Sequence, residues 1–131
     1  MATFASPDDL PRPAGYSQAV SIPAGRLVWT SGQLPLDADR NLADGWAAQA
    51  RAVFENLGRA LAAADASWPD VVKLTIYVVD LEGLEEIRRV RDEFVNTAAP
   101  PTSSLVQVAG LAQPGALLEV EAVAHVADPT D

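Results

Sequence analysis

Two carboxylates and the one imidazole of this chain stand close together near its C-terminal end: Glu119, Glu121 and His125. All three fall at alternate positions of the run from Leu117 to Val126, so on an extended strand they share one face. Glu119 and Glu121 are then about 7 Å apart by strand rise. Neighbouring carboxylates in a closed site raise one another's pKa, and a raised Glu serves as general acid or base. The other reading is that both pair with arginines at an interface; it is the stronger one for Glu121, and for Glu119 the two stand level. A Ser-His-Asp triad needs a histidine held by one partner and aimed at another. His125 sits near the end of its strand and reads as a surface or interface residue. Zinc needs three or four N, S or O ligands, and a chain with one His and no Cys is poorly equipped to supply them. Gly25, Gly32, Gly45 and Gly58 are isolated, so no phosphate-cradling motif is seen.

The elements that must position these groups follow from periodicity. In the last strand, Leu118, Val120, Ala122, Ala124 and Val126 form an apolar face, which a helix must cover. Pro100 to Val108 reads as a companion strand, with Gly110, Pro114 and Gly115 in the connection. Asp70 to Asp80 holds the strongest strand. Val72, Leu74, Ile76 and Val78 face one side there, and Lys73, Thr75 and Tyr77 the other. Tyr16 to Ile22 and Arg26 to Thr30, joined by Pro23-Ala24-Gly25, predict a hairpin. Gly32 then permits close backbone approach, and Pro35 breaks the ladder.

Trp46, Ala50, Val53, Phe54, Leu57 and Leu61 recur at helical steps and predict a helix over 45–64, with Asp44 as N-cap and Asp65 capping the far end. Leu84, Ile87, Val90 or Arg91, and Phe94 predict a second helix over 84–96, with Glu85 and Glu86 in its first turn. The order is ββαβαββ, an α+β fold with a mixed sheet and both helices on one face. Thr75, Tyr77, Glu119, Val123 and His125 occupy the face left over. Either this is an ordinary half-solvated sheet, or it meets copies of itself in a symmetric oligomer with polar pockets between subunits.

At 131 residues, 49% of them hydrophobic, the chain reads as one domain, 1–131, with a real core. Residues 1–13 and 128–131 lack periodicity and are expected to fray. Nine Lys+Arg against eighteen Asp+Glu leave a net charge of -9, which disfavours nucleic acid and anionic membrane as partners. No run reaches membrane-spanning length, and no signal peptide is seen. The lack of cysteine fits a cytoplasmic address.

Six segments are familiar in order and spacing: Ala14 to Val20, Thr30 to Pro35, Ala48 to Arg51, Asp70 to Thr75, Tyr77 to Leu81 and Leu118 to Ala124. Together they resemble the RidA/YjgF (Rid) family from about Gly15 to Val126. The resemblance implies a chorismate-mutase-like fold and a homotrimer, with three sheets lining a central barrel, helices outside, and small-molecule clefts between subunits. It implies hydrolysis of enamines and imines, such as 2-aminoacrylate, to keto acids and ammonia, with no cofactor. Residue by residue, Tyr16 matches the cleft tyrosine, Ser31 and Gly32 the segment whose backbone meets ligand, and Glu119 the glutamate that positions the attacking water.

Three positions depart from that pattern. Ser103 stands where the family's deaminases carry an arginine that grips the substrate carboxylate. Leu105 replaces a cleft cysteine and Arg88 a cleft asparagine. A hydroxyl cannot replace a bidentate guanidinium, so the chain resembles the arginine-lacking subfamilies. Arg88 either supplies a substitute cation or is a surface arginine beside Arg89 and Arg91, the simpler reading. The expectation is a cofactor-free hydrolase of deaminase type with activity on 2-aminoacrylate disfavoured by Ser103. The rival is a non-catalytic trimer that binds a small molecule.

Overall fold

The computed structural model describes residues 1–129, so the last two positions of the tail expected to fray lie outside it. Six strands and two helices follow in the order β1 (Thr3–Ala5), β2 (Ala19–Ser21), β3 (Gly25–Trp29), α1 (Gly45–Ala63), β4 (Val71–Val78), α2 (Leu84–Phe94), β5 (Thr102–Gln107) and β6 (Leu118–Ala127). A single 3-10 turn, Trp68–Asp70, leads into β4. The main sheet has the order β3-β6-β4-β5. β4 and β5 run parallel, joined through α2, and the other pairs are antiparallel.

The alternation of β6 sets the core. Leu118, Val120, Ala122 and Ala124 are buried beneath the helices. Val53, Phe54, Leu57 and Leu61 of α1 and Ile87 and Val90 of α2 close over them. Phe54 stacks on Trp68 and Phe94, each with ring centroids 5.7 Å apart. α1 starts after Asp44, which has cap geometry but makes no side-chain cap bond. It ends in a left-handed Asp65 (φ 57), where Asp65 N–H donates to Ala62 O and Ala66 N–H to Leu61 O. That is the Schellman closure, with an aspartate in the place glycine usually takes. Arg26 donates to the carbonyls of Ala64 and Asp65 just beyond the helix end, 2.7 and 2.9 Å.

Four expectations need correction. β2 and β3 do not form a hairpin: β2 pairs with β1, and β3 pairs with β6. Pro23 between them has no N–H to donate, and each strand finds its ladder elsewhere. The sheet is accordingly two sheets, and Thr3–Ala5, read as aperiodic, is a strand of the smaller one. In β4 the register slips between Val71 and Lys73, so Val71 and not Val72 joins Leu74, Ile76 and Val78 in the core. α2 stops at Phe94, two residues short of the expected end.

Candidate functional site

β5 runs beside β4 with Ser103 opposite Leu74 and Leu105 opposite Ile76. Leu74 and Ile76 are core residues, so Ser103 and Leu105 face the helix side of the sheet. There they meet Leu84, Ile87, Arg88 and Arg91 of α2 and, from the N-terminal side, Ala14 and Tyr16, around a cleft of about 290 Å³. Ser17 ties that N-terminal segment down. Its N–H donates to Pro101 O at 3.1 Å and its hydroxyl to Pro100 O at 2.6 Å. Thr102 Oγ1 donates to Val72 O at 2.7 Å and holds the start of β5 on β4. Tyr16, Arg88, Ser103 and Leu105, four of the residues named from the sequence, therefore share one cleft.

Arg91 belongs to the same cleft and was not singled out from the sequence as a ligand residue. Its position on the apolar stripe of α2, three residues after Arg88, was the available signal. Arg88 is exposed, whereas Arg91 is 6% exposed.

Ser31, Gly32 and Glu119 lie elsewhere. Glu119 is opposite Tyr77 in the β4–β6 register and alternates with the core residues Leu118 and Val120, so it occupies the other face. The β3–β6 ladder continues beyond Trp29 through Thr30 N–H to Ala122 O (3.0 Å) and Gln33 N–H to Val120 O (2.8 Å). This carries Gly32 onto Glu119: a Cβ at Gly32 would lie 2.0 Å from Oε2. Only a glycine leaves that space for the carboxylate. Within one chain, then, Glu119 meets Gly32 but is separated by the sheet from Tyr16 and Ser103.

Glu121 has a different partner. The Tyr77 hydroxyl donates to its Oε1 at 2.5 Å, a diagonal cross-strand pair. This bond, followed by desolvation and the charges of Glu121 and Glu119, holds the Tyr77 phenol above its ordinary value of 10.0. A phenol whose folded pKa is raised contributes stability that is whole below the unfolded value and is lost as pH rises through the folded one. Denaturant midpoints of the wild type should therefore fall more steeply than those of Tyr77→Phe as pH rises above about 10. Parallel slopes for the two proteins would count against the pair.

His125 is 6% exposed, which corrects the surface reading. Met1, Ala2 and Phe4 share with it the lining of a largely apolar cavity of about 520 Å³. Its Nε2 has no hydrogen-bond partner among the described residues and packs against Gly25. The same sheet face exposes large apolar groups. Leu27 lies opposite His125 and Trp29 opposite Val123, and they are 43% and 66% exposed. Thr75, Tyr77 and Val123 are half-buried there. Among the described residues no group of acidic, His or Cys side chains is arranged to hold a metal ion. No helix among them is long and apolar enough to cross a membrane.

Residues 8–126 match the family model described as Endoribonuclease L-PSP. Protein DfrA of Myxococcus xanthus is 39% identical over 120 residues, covering 89% of this chain and 90% of its own. TdcF of Escherichia coli (strain K12), named as a candidate reactive intermediate deaminase, is 35% identical and covers 83% and 84%. The crystal structure of YyfB from Yersinia pestis, a protein of the Rid family, superposes with a TM-score of 0.81 at 30% identity, over 95% of this chain and 98% of that one. The structure of E. coli TdcF with bound serine superposes with a TM-score of 0.71 at 31% identity, over 95% and 99%.

Proposed function

The chain belongs to the Endoribonuclease L-PSP family, that of the Rid proteins, and from that premise we propose that it is a cofactor-free hydrolase of deaminase type. Its substrate is a small imine or enamine, bound in clefts between the subunits of a homotrimer. The observation that carries this reading is the division of the site between two sheet faces. Tyr16, Arg88, Ser103 and Leu105 line one cleft, while Glu119 rests on Gly32 across the sheet. A neighbouring copy can bring the second set over the first. The exposed Leu27 and Trp29 give the Glu119 face an apolar surface suited to such a contact.

The chemistry needs one base and one placed water. Glu119 takes a proton from water as its oxygen bonds to the imine carbon, and the C=N π electrons move to nitrogen. Glu119 returns that proton to nitrogen, giving the carbinolamine. It then takes the proton of the new hydroxyl and passes it to nitrogen as the C=O bond forms and the C–N bond breaks, so nitrogen has gained both protons of the water and leaves as ammonia. Tyr16 and the Ser31–Gly32 backbone orient the ligand, and Leu105 gives it an apolar wall. Ser103 offers a hydroxyl and no charge, which disfavours 2-aminoacrylate as substrate. The name of the matching family includes a ribonuclease, but a chain of net charge -9 repels polyanions.

Two measurements test the reading. Light scattering at micromolar concentration should give the mass of a trimer, and a monomer mass would remove the inter-subunit cleft. Ammonia release from imines generated in situ by an amine-oxidising enzyme should exceed the uncatalysed rate. A trimer that binds small molecules and releases no ammonia from any such imine would favour the alternative, a non-catalytic binding protein that kept the scaffold. Ser103 is the observation on its side.

A further inference from the structure

We propose that Arg91 makes this cleft an anion site, and that its ligand is a small carboxylic acid with an aliphatic body. The inference rests on the reading of this cleft as the ligand site. A buried arginine is ordinarily paired, and Arg91, 6% exposed, lines the cleft. Its Nε donates to Asp92 Oδ1 at 2.9 Å, and that carboxylate is itself 45% exposed. Among the described residues Nη1 and Nη2 make no hydrogen bond, although a guanidinium carries four N–H groups there. Neither nitrogen is fully buried, so both keep contact with solvent, and an acceptor entering the cleft that Arg91 lines can meet them. The cavity is the space left for one, and a carboxylate matches the planar fork with two parallel bonds.

The chain also keeps room for this guanidinium. Gly15 has φ 81, a conformation that side chains disfavour, and a Cβ there would lie 2.1 Å from Nη2. Tyr16 and Ser103 offer hydroxyls on the adjoining walls. Ile76, Leu84, Ile87 and Leu105 make the remainder aliphatic, which suits a ligand with an apolar body rather than a doubly charged one. The charge comes from α2 and not from β5. An acid anchored on Arg91 is thus held from the helix wall, so anion binding is compatible with poor turnover of a compact imino acid such as 2-aminoacrylate.

The test compares isovalerate with isovaleramide, its uncharged isostere, by calorimetric titration of the wild-type protein. The acid should bind about tenfold or more tightly than the amide. Arg91→Met keeps an apolar stem in the same space and should lose that preference, provided its circular dichroism matches the wild type. Arg89→Met removes a charge from the same helix outside the cleft and should keep it. Equal affinity of acid and amide for the wild type, or binding of neither, would overturn the proposal even if Arg91→Met fails to fold. So would a preference lost in Arg88→Met and kept in Arg91→Met. Imine hydrolysis without acid preference would sink the anion site and leave the hydrolase reading intact; acid preference without hydrolysis would do the reverse.

Discussion

Ser103→Arg raises the efficiency of ammonia release from 2-aminoacrylate by about thirty- to several-thousand-fold. Ser103 stands on β5, on the cleft face, and lines the cleft together with Tyr16 and the arginines of α2. A charge-assisted bidentate contact to a carboxylate in a partly buried cleft is worth on the order of 2–5 kcal/mol, and a serine hydroxyl supplies little of it. The net charge of -9 gives an anionic substrate no help in arriving, so local contacts must do the holding. The new guanidinium would join Arg88 and Arg91, and three cations in one cleft repel while it is empty. The variant should therefore melt lower than the wild type without ligand and recover when a carboxylate is bound. A coupled assay in which an oxidase generates the imine in situ measures the gain. Equal rates for variant and wild type would mean that an arginine already present holds the carboxylate productively. Arg88→Ala or Arg91→Met should then abolish turnover.

Glu119→Gln lowers the rate of ammonia release by about 10²- to 10⁴-fold, the usual contribution of a positioned general base. The amide is nearly isosteric with the carboxylate, so the close approach of Gly32 is preserved. The Tyr77–Glu121 pair beside it is untouched. Stability and oligomeric mass should stay as in the wild type, which separates lost chemistry from lost structure. Glu121→Gln is the natural comparison: the amide oxygen still accepts the Tyr77 hydroxyl, and the rate should change by less than about threefold. Steady-state kcat for both variants on the same imine decides the matter. Glu119→Gln within a few-fold of wild type would remove Glu119 from the catalytic role.

Much of the fold was legible in the residues alone, for a reason of range. Helix and strand periods are written into neighbouring positions, so α1 was readable from the stripe Trp46 to Leu61, and β6 from Leu118, Val120, Ala122 and Ala124. Two helices on one face of a mixed sheet followed, because each element had a single apolar side to bury. The likeness to the Rid family was legible too, since its short motifs lie in order along the chain. What periodicity does not encode is the partner. Whether β2 pairs with β3 or with β1 depends on contacts between residues far apart, and the local turn signal at Pro23–Gly25 pointed to the wrong one. A one-residue bulge exchanged Val71 for Val72 in the core, because one added residue reverses the alternation up to that point.

The site divides in the same way. The residue types at Tyr16, Arg88, Ser103, Leu105 and Glu119 could be named from sequence. Only the tertiary structure placed the first four in one cleft, set Glu119 against Gly32 on the opposite face, and drew Arg91 out of a helix stripe into a cavity wall. It also brought Met1, Ala2 and Phe4 to the cavity that His125 lines. Sequence determined which side chains are available and which way each element must turn. The distances between elements were decided by packing, in which every contact depends on the others, and no local pattern carries that information.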